Sequence, residues 1–84
     1  MKKITLFYQT HCPFCKRAIA ALDALRQREP YKNLEITMIE ETEHPEIADR
    51  YDYYYVPTFY IDGQKVWEGG IYPNEVEQVL QKAL

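Results

Sequence analysis

Ile4, Leu6 and Tyr8 alternate along residues 3–8, and Phe7 makes the other side of the run apolar too. A strand buried on both faces has that composition, so this segment reads as a central strand. From Pro13 to about Arg28 the period changes. Ala18, Ile19, Leu22 and Leu25 recur at helical spacing, opposite Lys16, Arg17, Asp23 and Gln27, and Pro30 stops the helix. Leu34, Ile36 and Met38 then alternate with Glu35 and Thr37, which predicts a second strand. Strand, helix and strand in succession form a right-handed unit with parallel strands in almost every case. Residues 40–51 are acidic and weakly periodic, with Pro45 placed to start a short helix through Ile47 and Ala48. Thr58–Ile61 predicts a third strand, Asp62-Gly63 a tight turn, and Lys65-Val66-Trp67 the antiparallel partner. Gly69-Gly70 breaks the sheet. Asn74 with Glu77 resembles a capping box, ahead of Val76, Val79, Leu80, Ala83 and Leu84 on one face of a final helix. The order β-α-β-α-β-β-α describes an α/β fold, a four-stranded mixed sheet flanked by three helices.

Eighty-four residues are enough for one domain, residues 1–84, whose single core stabilises it only modestly. The formal net charge of -3 argues against nucleic acid as a partner. Met1-Lys2-Lys3 has the charge of a signal's start, but the apolar stretch behind it is short and broken by Gln9, Thr10 and His11. A cleavable signal and a membrane span are not expected, and a cytoplasmic monomer is. The acidic run Glu40-Glu41-Thr42-Glu43 reads as a solvated loop. Tyr51, Tyr53, Tyr54 and Tyr55 form an unusual aromatic cluster.

The chain's two cysteines stand at Cys12-Pro13-Phe14-Cys15, between the first strand and the first helix. In such a chain one Cys-X-X-Cys pair points to redox chemistry or metal binding rather than to a structural staple. Zinc would need Cys12, Cys15, His11 and His44, and His11 has little freedom to converge with its neighbour. Proline is favoured at the first helical position, which puts Cys12 on the N-cap. There its sulfur can accept from the amides of Phe14 and Cys15 at the positive end of the helix dipole, and both effects favour a thiolate. Cys12 is therefore the expected nucleophile. Cys15, one turn inside the helix and more buried, is expected to resolve the mixed disulfide. Lys16, four residues on, and His11 are candidate electrostatic aids to Cys12, and exposed Phe14 is a candidate contact for substrate.

Cys-Pro-Phe-Cys after the first strand, Val56-Pro57 before the third and Gly69-Gly70 after the fourth together resemble the glutaredoxin branch of the thioredoxin superfamily. The resemblance spans nearly the whole chain and implies a thioredoxin fold and thiol–disulfide oxidoreductase activity. It also implies a cis Pro57 lying against the cysteine pair, with Pro13 and Phe14 as active-site support. Tyr55, Val56, Gly69 and Gly70 are then the backbone and side chains that meet an incoming disulfide-containing protein or small thiol. No tightly bound cofactor or metal is implied, and the electron donor is external glutathione or thioredoxin reductase.

The departures from that pattern bear on the donor. Glutathione-using glutaredoxins place a lysine where this chain has Gln9, and acidic residues where it has Ile71-Tyr72-Pro73. Each lost charge-assisted contact is worth about 1.5–3 kcal/mol when well formed, which weighs against strong glutathione binding. Trp67–Pro73 looks more like the glutathione-independent redoxins that donate electrons to ribonucleotide reductase. Thr58 is thioredoxin-like, whereas Leu6 and His11 stand where thioredoxins carry aspartate and tryptophan. A dimeric iron–sulfur carrier and a redox-inert module with a tyrosine-rich binding face are the alternative classes.

Overall fold

The computed structural model describes residues 1–84. Its elements are β1 (Ile4–Tyr8), α1 (Pro13–Leu25), β2 (Ile36–Glu40), α2 (Pro45–Ala48), β3 (Thr58–Ile61), β4 (Gln64–Glu68) and α3 (Pro73–Gln81). The sheet order is β2-β1-β3-β4. β1 runs parallel to β2, with Ile4 opposite Ile36, and antiparallel to β3, with Ile4 opposite Ile61. β3 and β4 form the expected hairpin. Asp62 (φ 48°) and Gly63 (φ 83°) supply the two left-handed residues of its turn. This is a thioredoxin fold.

β1 is central, as its two-sided apolar pattern requires. Ile4 and Leu6 enter a core shared with Leu22 of α1, Phe59 of β3 and Val76, Val79 and Leu80 of α3. Phe7 points to the opposite face, into a smaller cluster with Ile39, Ala48 and Tyr60. Helices α1 and α3 pack together on the first face. On the second, α2 and the tyrosine segment cover Phe7, with the Tyr51 and Tyr53 rings centred 4.7 and 4.9 Å from its ring. No helix is long and apolar enough to cross a membrane.

Three local expectations need correction. Helix α1 stops at Leu25 rather than Arg28, and a run of turns leads to buried Tyr31 and Leu34. Met38 is exposed and Ile39 is buried. β2 is an edge strand with a neighbour on one side only, so alternation there does not force both apolar positions into the core. Helix α3 starts at Pro73, not after Asn74. Its cap is the amide of Tyr72 donating to the Glu75 carboxylate at 2.9 Å. Glu77 instead accepts from the Tyr31 hydroxyl at 2.7 Å and pairs with Arg28 at 3.2 Å, tying the α1–β2 connection to α3.

Candidate active site

Cys12 ends the loop after β1 and occupies the N-cap of α1 in extended conformation, with Pro13 in the first turn. Its Sγ accepts from the Cys15 amide at 3.3 Å, satisfying one of the N–H groups that a helix start leaves without a partner. The Phe14 amide makes no such bond, so one of the two expected contacts is present. Cys12 is partly exposed and Cys15 is completely buried, and both are free thiols. The Cys15 Sγ accepts from the Gln9 amide at 3.5 Å. Burial pushes the Cys15 thiol up to about 12, with Cys12 and Glu41 adding to the rise and the Gln9 amide opposing it.

The loop before β3 closes over this pair. The Val56–Pro57 peptide is cis, Pro57 is buried, and the Val56 carbonyl lies 3.9 Å from the Cys12 Sγ. Gly69 donates its amide to the Pro57 carbonyl at 2.8 Å from a φ of 95°, a backbone conformation side chains rarely adopt. Gly70 lies against Phe14, where a Cβ would meet the ring's Cδ1 at 3.4 Å. The structure thus gathers Cys12, Cys15, Pro13, Phe14, Val56, Pro57, Gly69 and Gly70. Tyr55 stands beside them with an exposed side chain, while its carbonyl accepts from the Thr58 hydroxyl. The tyrosine cluster divides. Tyr51 and Tyr53 are packing residues, and Tyr54 and Tyr55 face solvent.

His11 and Lys16 are both exposed. His44 pairs with Glu46 at 3.5 Å, and no group of three His, Cys, Asp or Glu side chains is placed to hold a metal ion. Phe14 is half exposed, with the Arg17 guanidinium 5.3 Å from its ring centre. These two residues, with Ala20, Ala21, Ile71 and Tyr72, line a largely apolar groove of about 590 Å³ between α1 and the segment that starts α3.

The reading of residues 40–43 as a solvated loop does not hold for its first two members. Glu40 is 6% exposed and accepts four hydrogen bonds, from the amide and hydroxyl of Thr42 at 2.6 Å each and from those of Thr10 at 3.0 and 2.8 Å. These bonds, led by the Thr42 hydroxyl, hold its carboxyl down to about 2. Glu41 accepts from the Gln9 side-chain amide on one oxygen and from the Tyr53 hydroxyl, at 2.6 Å, on the other. Across the site Glu68 accepts from the amides of Tyr54 and Tyr55 at 2.6 and 3.0 Å and from Lys65 at 2.7 Å. None of the three carboxylates stood out as a site residue in the sequence. The available signal was their placement at or just past a strand end, where loop amides need acceptors.

A thioredoxin domain model matches residues 2–81. Oxidised mitochondrial thioredoxin 3 from Saccharomyces cerevisiae is 28% identical, with a TM-score of 0.76 over 96% of this chain and 77% of that one. The N-terminal N/C domain of an Enterococcus faecalis alkylhydroperoxide reductase is 25% identical, with a TM-score of 0.71 over 99% of this chain and 38% of that one. A malarial protein shares the fold at 14% identity, with a TM-score of 0.78 over 100% and 98% of the two chains. No curated protein matches the sequence.

Proposed function

The chain belongs to the thioredoxin domain family, and on that premise we propose that it is a dithiol reductase of the glutaredoxin-like branch, working through Cys12 and Cys15 on disulfides of proteins. The observation that carries this reading is the inequality of the two sulfurs. Cys12 is reachable and capped by an amide, whereas Cys15 is wholly buried one turn away. The Cys12 thiolate attacks a substrate disulfide, forming a mixed disulfide and releasing one substrate thiol. Cys15 then loses its proton and attacks the Cys12 sulfur. The bond to the substrate breaks, and the departing thiolate takes up a proton. Two electrons have moved to the substrate, and the Cys12–Cys15 disulfide awaits a donor.

The site's charges support thioredoxin reductase, or an equivalent protein donor, over glutathione. The Gln9 side chain is already bonded to Glu41, so a glycine carboxylate arriving there meets a negative charge and no cation. Ile71 is buried and offers no acid for an amine. The groove beside Phe14 is apolar with one cation, Arg17, and suits a polypeptide segment flanking a disulfide better than a small charged tripeptide. Ribonucleotide reductase is the protein substrate to which the resemblance of Trp67–Pro73 points.

The test follows NADPH consumption by the oxidised protein, with thioredoxin reductase in one cuvette and glutathione plus glutathione reductase in another. Selective coupling to thioredoxin reductase is expected, and efficient coupling to glutathione alone would reverse the assignment of donor. Cys15→Ser should trap mixed disulfides with protein substrates, and Cys12→Ser should abolish turnover. Loss of all reactivity toward disulfides in Cys15→Ser would overturn the roles given to the two cysteines.

A further inference from the structure

Cys15 must stay inert while Cys12 finds a substrate and become a nucleophile afterwards, so whatever sets its protonation sets the order of events. Two ionisable groups act on its sulfur. Cys12 lies at the N-cap of α1 with its Sγ accepting from the Cys15 amide, and Glu41, just beyond β2, is bonded to the side chain of Gln9, whose amide donates to the Cys15 sulfur. Lys16 and Arg17, the cations on the same helix, are exposed. Leu6 on the central strand is apolar and fully buried, so the strand beneath contributes no charge at that position. Once Cys12 is bonded to a substrate, it no longer carries a thiol or thiolate. Glu41 is then the remaining charge that bears on Cys15.

The Glu41 carboxylate is held in place from both sides. Gln9 bonds the Cys15 sulfur through its backbone amide and Glu41 through its side chain, so one residue links the two groups. Tyr53 donates to the other carboxylate oxygen, and its ring is packed on Phe7. A fixed negative charge beside a buried thiol disfavours the thiolate, and low-dielectric surroundings lengthen its reach. We propose that Glu41 is a positioning residue that adds to burial in keeping Cys15 a thiol and so tunes the lifetime of the mixed disulfide. This rests on the assignment of Cys15 as the resolving cysteine.

The test compares Cys12→Ser with Cys12→Ser/Glu41→Gln, following the reaction of Cys15 with a small aromatic disulfide across pH. Glutamine keeps the shape of the side chain and an acceptor oxygen but removes the charge. Its expected effect is a rate roughly threefold higher at pH 8 and a titration displaced to lower pH, since a less basic thiolate gives back about half of what it gains in ionisation. Two further variants in the same background separate charge from packing. Glu43→Gln removes an exposed charge from the same acidic stretch and should leave the profile where it was. Tyr53→Phe keeps the Glu41 charge and should move the profile less than Glu41→Gln does. An unchanged profile in Glu41→Gln overturns the proposal, as does an equal displacement in Tyr53→Phe. If the parent protein failed to turn over disulfides at all, the dithiol reading would fall instead, so the two failures are distinguishable.

Discussion

In Cys12→Ser the one remaining thiol is Cys15, and its reactivity measures how firmly the fold keeps it inactive. A thiol held at about 12 is ionised in about one molecule in 10⁴ at pH 8. An ordinary cysteine, at about 8.5, is ionised in about one of four. The folded protein therefore has on the order of 2,000-fold less thiolate at that position than the unfolded chain. A more basic thiolate is also the better nucleophile. With a Brønsted slope of about 0.4–0.5, this returns roughly 40-fold. The net chemical deficit is about 60-fold with Cys12 present. It shrinks if the two smaller influences of Cys12 are lost with its sulfur, while burial, the largest, remains. Complete burial of the sulfur slows the reaction further by denying access. The assay is stopped-flow release of the aromatic thiol, with Cys12→Ser folded in buffer and unfolded in urea, and Cys15→Ser as companion. Folded Cys12→Ser should react at least tenfold more slowly than its unfolded form and more slowly than Cys15→Ser. A folded rate equal to the unfolded one would refute the reasoning, because burial would then not be restraining Cys15.

Acid should destabilise the protein through Glu40 and Glu68, both held down to about 2 from 4.5. Since their folded values lie below the unfolded ones, their contribution is complete above about pH 4.5 and is lost as pH falls toward about 2, so the urea midpoint should drop through that window. Glu40→Gln should lower the midpoint at neutral pH, flatten its acid dependence and leave the Cys15 titration in place, the reverse of the pattern expected for Glu41→Gln. Phe59→Ala, which empties a fully buried position in the main core, should cost about 3–5 kcal/mol in urea unfolding. Gly69→Ala places a Cβ at φ 95° and should cost about 1–2 kcal/mol. Gly70→Ala meets only the Phe14 ring and should show itself mainly as a raised KM for protein substrates.

The parts of the molecule legible in the sequence were those with strong periodicity or fixed stereochemistry. β1 announced itself as central because Phe7 is apolar where a half-buried strand would be polar. The α1 start was legible because Pro13 has few places to sit other than a helix's first turn, and that placed Cys12 on the cap. The alternation at Leu34, Ile36 and Met38 places β2 two residues early: the strand is Ile36–Glu40, Leu34 is buried just before it, and within it Ile39 is buried while Met38, also apolar, is exposed. Asn74 and Glu77 offer the familiar spacing for the start of α3, whereas the pairing used is Tyr72 with Glu75, on either side of Pro73. The tyrosine run could not be divided from composition. Tyr53 is fixed by Phe7 and Glu41, contacts that lie 46 and 12 residues away in the chain, while Tyr54 next to it touches neither.

The missed carboxylates have a common physical cause. The site is assembled from four stretches without regular structure, residues 9–12, 41–44, 54–57 and 69–72, and each brings amides that no ladder satisfies. Glu40 binds the first to the second, Glu41 does so again through Gln9 and adds Tyr53 just before the third, and Glu68 ties the third to the end of β4. A carboxylate suits this task because it accepts several bonds at once, and its bonds are stronger than those of a neutral acceptor. In a sequence such residues look like solvated charges, since the amides they serve lie at unrelated positions along the chain. Glu41 differs from the other two in what lies next to it. Glu40 and Glu68 have their charges spent on loop amides, hydroxyls and Lys65. Glu41 receives one amide and one phenol, leaves its charge uncompensated by any cation, and stands where the Cys15 sulfur feels it.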